Sequence, residues 1–88
     1  MAKNYFKSYI WLLETLQTRG RLTLKEIKDL WMRTSINDDK KELATRTFAN
    51  HVTAIADIFG IDIVCDRTDN TYSIENTEGD LMLIEIYL

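Results

Sequence analysis

The stretch Thr45–Gly60, TRTFANHVTAIADIFG, constrains the chain most. Phe48, Val52, Ile55 and Phe59 recur at helical spacing and define one apolar stripe. Arg46, Thr47, Asn50 and Thr53 fall on a neighbouring face that a core does not require. Gly60 supplies the stop, since glycine adopts the backbone that closes a helix. A helix that buries one stripe and leaves arginine, threonine and asparagine beside it needs other elements to cover the stripe. The polar face remains for a partner. Those side-chain types bond phosphates and base edges.

The chain upstream reads as two shorter helices. Over residues 4–19, Phe6, Ile10, Leu13 and Leu16 form a stripe that Tyr9 and Leu12 widen, with Gly20 as terminator. Trp11 lies off the stripe centre; it either packs under the wing or faces a partner, and the structural role is the expected one. Arg21-Leu22-Thr23 is a short link of one or two extended residues. Thr23-Leu24-Lys25-Glu26 then matches a capping box, in which a threonine hydroxyl and a glutamate three residues on satisfy each other's backbone N–H groups. Leu22 and Ile27 stand at the positions of a hydrophobic staple. Ile27, Leu30 and Trp31 supply the apolar face of the second helix, which ends near Arg33 or Thr34.

Ser35–Glu42, SINDDKKE, is polar and reads as a loop, its asparagine and aspartates favouring turns. Lys40 and Lys41 sit just before the third helix, either as a solvated loop or as phosphate contacts. Thr45 is the expected N-cap, which turns free N–H groups outward. Downstream, Ile61–Cys65 and Tyr72–Glu75 alternate as half-buried strands do, with Ile61, Ile63 and Cys65 expected inward. Asp66–Asn70 forms the turn between them and carries Arg67. Three helices followed by a hairpin give an α+β, mostly helical chain with the plan of a winged helix-turn-helix. The expected domain covers residues 1–78.

Residues 79–88 stand apart. Leu81–Leu88 is densely apolar and reads as the start of a linker helix or as an oligomerisation segment, giving a homodimer through residues 81–88. The longest apolar run, Leu81–Ile84, is too short for a bilayer, no leader pattern is legible, and a single cysteine excludes an intrachain disulfide. A cytoplasmic protein without membrane contact is expected. The net charge of −3 is unevenly spread: residues 1–53 carry +4 and residues 54–88 carry −7. Local potential steers a polyanion, and the positive half holds the third helix. An enzyme is not expected. His51 is the sole histidine and has no nucleophile or metal-binding companion in the sequence, and no cofactor is implied.

Several short motifs, in order, resemble one known group. Tyr9-Ile10-Trp11, Arg19-Gly20-Arg21-Leu22-Thr23, Glu26-Ile27, Arg46-Thr47-Phe48, Phe59-Gly60-Ile61, Cys65-Asp66-Arg67 and Tyr72-Ser73-Ile74-Glu75-Asn76 are similar to the N-terminal region of WYL-domain transcriptional regulators, especially the Bacteroides-type members. The resemblance covers roughly residues 5–85. It implies a bacterial DeoR-like winged helix that precedes a ligand-sensing domain absent from this chain, on which any effector would bind. Where that family's recognition helix opens with Ser-Arg-Arg-Thr, this chain has Ala44-Thr45-Arg46-Thr47, so Thr45 replaces one arginine.

The resulting expectation is a sequence-specific binder of double-stranded DNA. The third helix, about residues 45–59, would enter the major groove, and the hairpin 61–76 would serve as the wing. Arg46 and Asn50 are the expected readers of bases; Lys40, Lys41, Thr45, Thr47 and Arg67 are the expected phosphate contacts, and His51 completes the DNA-binding set. The alternative is a winged helix used only for protein–protein contact, which the acidic second half and the apolar C-terminus favour.

Overall fold

The structure, a computed structural model, describes residues 5–75. Six elements follow in order: α1 (Phe6–Arg19), β1 (Leu22–Thr23), α2 (Leu24–Arg33), α3 (Thr45–Phe59), β2 (Ile63–Asp66) and β3 (Thr71–Ile74). The described chain is mixed α/β and mostly helical, with a three-stranded antiparallel sheet in the order β1-β3-β2. The apolar segment 81–88, and with it the expected linker or dimer contact, lies outside the described residues.

Local chemistry explains where each helix stops and starts. Gly20 closes α1 with its N–H donated to the Leu16 carbonyl at 2.8 Å, at a φ of 86° that suits glycine. At α2 the capping box forms as expected. The Glu26 N–H donates to Thr23 Oγ1 at 3.2 Å, and the Thr23 N–H donates to Glu26 Oε1 at 2.8 Å. Gly60 ends α3 in the left-handed conformation, φ 68°, its N–H bonded to the Ala56 carbonyl. The start of α3 departs from expectation. Ala44, not Thr45, is the N-cap residue, and no side chain caps the first turn.

The helical stripes meet in one core. Leu12, Leu13, Leu16, Ile27, Ile55 and Ile61 are fully buried, and Phe48 and Phe59 join them from α3. Each such side chain removed from water contributes about 1.5–3 kcal/mol before the entropy of ordering the chain is subtracted. Trp11 is buried. It packs on Trp31 of α2, with ring centroids 5.1 Å apart and planes at 67°. This edge-on arrangement suits two ring quadrupoles.

The short link before α2 becomes a strand only through its partner. Leu22 pairs with Tyr72, and Thr23 with Thr71. The hairpin pairs Ile63 with Ile74 and Cys65 with Tyr72. Cys65 was expected inward, yet it is exposed. Strand parity keeps it on the Ile63 side. At that level, however, its cross-strand neighbour Tyr72 covers the core, edge-on to Phe48 at 4.9 Å, and Cys65 is left at the rim.

Arg21, next to β1, reaches across the sheet. Its Nη2 lies 2.5 Å from Asp66 and 3.5 Å from Asp69, and its Nε donates to Thr71 Oγ1 at 3.2 Å. The bond to Asp66, followed by the charge of Asp69, raises the Arg21 guanidinium above its usual range. Asp66 is held below its usual range, first by the Thr68 backbone N–H and then by Arg21. All of these groups face water, so the cluster orders the turn more than it stabilises the fold. Arg21→Ala should leave the thermal midpoint nearly unchanged while speeding amide exchange at Thr68 and Thr71, an effect that fades as salt is added. A wild-type exchange rate at those amides would show that the turn holds itself.

Candidate nucleic-acid interface

α3 buries Phe48, His51, Ile55 and Phe59, and this anchoring fixes which side faces out. Arg46, Ala49, Asn50, Thr53 and Asp57 are exposed. Among the described residues, Arg46 and Asn50 make no side-chain hydrogen bond or ion pair, so both are free to meet a ligand. Thr53 bonds back to the Ala49 carbonyl at 3.2 Å, which spends its hydroxyl within the helix. Because Ala44 has no capping side chain, the first N–H groups of α3 have no capping acceptor among the described residues.

The remaining expected residues are spread over three places. Thr45 is exposed, and its hydroxyl accepts a 2.9 Å bond from Lys28 Nζ of α2. Thr47 is half-buried. Lys40 and Lys41 expose their side chains on the loop 34–44; Lys40 Nζ reaches the Thr34 carbonyl at 3.5 Å. Arg67 is exposed in the hairpin turn, where Arg21 already holds the two flanking aspartates. That leaves the turn less negative than its sequence suggests.

His51 does not belong with the exposed set. It is 6% exposed and packs against Tyr5 and Tyr9, each ring centroid 5.1 Å away. The signal was present in the spacing, because His51 lies three residues after Phe48 and four before Ile55, on the core stripe. Burial lowers the imidazole pKa from its usual 6.5. The tyrosine rings face it, and Asp38, Asp39, Lys41 and Glu42 line the same cleft. The folded form therefore holds a neutral histidine that the unfolded chain protonates more readily. The stabilisation is complete above the unfolded pKa and is lost as pH falls through the depressed folded value. Stability should start to decline near pH 6.5, by at most about 1.4 kcal/mol per pH unit from this residue. Urea unfolding from pH 7.5 to 5 would measure it, and His51→Phe should flatten that part of the profile.

Two further residues were missed in the sequence. Lys28, with Lys25 one helical turn before it, places a second basic edge beside the start of α3; their i, i+3 spacing after a capping box was a readable signal. Asn37, a turn residue by its sequence context, is 4% exposed. Its Nδ2 donates to the Trp31 and Lys41 carbonyls at 3.2 and 3.0 Å, and its Oδ1 accepts from the Lys41 N–H at 3.2 Å. Trp31 Nε1 closes the network on the Lys41 carbonyl at 3.0 Å. The loop that carries both lysines is thus built around one buried amide.

No group of histidine, cysteine and carboxylate side chains suited to a metal ion occurs among the described residues, and none of their helices is long and apolar enough to cross a membrane. The chain matches no family profile, no curated protein and no solved structure.

Proposed function

We propose that the chain is a winged helix-turn-helix domain that reads double-stranded DNA, as part of a cytoplasmic transcriptional regulator of the WYL-domain kind that its motifs resemble. The observation that carries this reading is the outer face of α3. Arg46 and Asn50 stand exposed on a helix held by Phe48, Ile55 and Phe59, at an uncapped N-terminus with Lys28 beside it. The element order supports it: three helices with a polar loop between the second and third, then a hairpin.

In this reading α3 lies in the major groove. Arg46 takes guanine and Asn50 adenine, the pairings that bidentate geometry favours. Thr45, Lys28, Lys40, Lys41 and Arg67 meet phosphates, and Thr47 contributes from the side of the helix. His51 supports the helix from within. Two copies would occupy two half-sites. Any effector of the regulator would act through a further domain.

The test is a salt series of binding to duplexes selected from a random pool. A sequence-reading domain should prefer its selected duplex over scrambled DNA by about a thousandfold or more, with log affinity falling linearly against log salt. Equal binding to both duplexes at all salt concentrations would overturn the reading. The rival is a winged helix used for protein contact, favoured by exposed Ile58 (56%) and Val64 (37%) and by the acidic second half. It predicts that equality.

A further inference from the structure

A cleft of about 370 Å³ lies where α1, the loop 34–44 and α3 meet. Tyr5, Trp31, Asp38, Asp39, Glu42 and His51 are among the residues that line it, and the three acidic residues are exposed. Among the described lining residues, Lys41 is the one lysine or arginine, against the three acidic residues Asp38, Asp39 and Glu42. The volume falls in the range of small-molecule sites.

His51 lines the same cleft. It is more than nine-tenths buried, and neither ring nitrogen makes a hydrogen bond among the described residues. Buried polar atoms almost always have a partner, and one without calls for an explanation. The contacts with Tyr5 and Tyr9 are ring contacts and replace a hydrogen bond only weakly. A neutral imidazole offers one donor and one acceptor, which suits a hydroxyl or amide group.

We propose that this cleft binds a small aromatic amine bearing a hydroxyl or similar polar group. The ammonium meets the carboxylates of Asp38, Asp39 and Glu42. The ring packs between Tyr5 and Trp31, whose faces also favour a nearby cation. The polar substituent bonds the imidazole of His51. Recognition is reversible and involves no covalent step. Amine binding is independent of DNA binding, since every group that it uses lies in the cleft.

The probe is tyramine, added to the full chain without DNA and followed by amide NMR. The resonances of Tyr5, Asn37 and His51 should shift and saturate with a dissociation constant below about 1 mM, and Trp31 fluorescence should change in parallel. 4-Hydroxyphenylacetate, with the same phenol ring and the opposite charge, should shift nothing there. Asp38→Asn/Asp39→Asn alters exposed side chains only and should weaken tyramine about tenfold, as expected for loss of charge-assisted contacts. His51→Phe should weaken tyramine while leaving phenethylamine, which lacks the hydroxyl, unaffected. Unchanged resonances at about 5 mM tyramine, far above the expected constant, would overturn the proposal. Equal binding of 4-hydroxyphenylacetate, or full affinity in the double variant, would do the same.

Discussion

Asn37→Ala is expected to destabilise the domain by about 2–4 kcal/mol, although it deletes one polar side chain from a polar loop. The amide makes three bonds to backbone atoms of Trp31 and Lys41 at 3.0–3.2 Å. Its removal leaves the Lys41 N–H and the Trp31 carbonyl without those partners, at about 1–3 kcal/mol for each group that stays buried. The loss then spreads. The Lys41 carbonyl also receives Trp31 Nε1, and Trp31 packs on Trp11, so loosening the loop frees one wall of the core. For a domain this small the expected drop in thermal midpoint is about 10–25 °C. Asn37→Asp should be at least as damaging, because a carboxylate cannot donate to the two carbonyls and is buried as a charge. Thermal unfolding and exchange of the Lys41 amide would measure both variants. A loss below about 0.5 kcal/mol would mean that the loop is held by its other contacts.

Arg46→Glu should leave the fold intact and weaken binding to the selected duplex by at least about a hundredfold near 0.1 M salt. Truncation of a base-contacting arginine already costs about 1–3 kcal/mol, and the glutamate adds repulsion from phosphates. Two signatures separate base reading from simple charge. Arg46→Ala should relax the preference at one base position while binding to scrambled DNA changes little. Lys28→Ala should weaken all duplexes alike and reduce the salt slope by about one. Arg46 is exposed and bonds no described neighbour, so circular dichroism and the thermal midpoint should match wild type. Wild-type affinity for Arg46→Ala on the selected site would remove this residue from the contact face, whatever the behaviour of Lys28.

Effects of the amine cleft and of the α3 face can meet in one place. The loop built on Asn37 carries Lys40 and Lys41 outward and lines the cleft with Asp38, Asp39 and Glu42. Variants of Asn37 therefore disturb both surfaces, whereas Arg46 and the two aspartates disturb one each. This is why the single-surface variants are the informative ones.

Much of the fold was legible because it is local. The stripe Phe48, Ile55, Phe59 needs only the 3.6-residue period, the capping box needs four consecutive residues, and Gly20 and Gly60 need only a backbone without a Cβ. The exposed Arg46 and Asn50 followed from the same period. What the tertiary structure alone decided are the relations between distant residues. Leu22–Thr23 is a strand because Tyr72 and Thr71 lie beside it, and Arg21 is an ion-pair residue because Asp66, 45 positions away, comes within reach. Asn37 is a buried scaffold because Trp31 and Lys41 close around it. His51 lay on the core stripe by spacing, but its polar ring is buried because α1 brings Tyr5 and Tyr9 over it. Periodicity tells which side of an element turns inward; which groups stand there to meet it is set by packing, where contacts join residues that sequence order keeps apart.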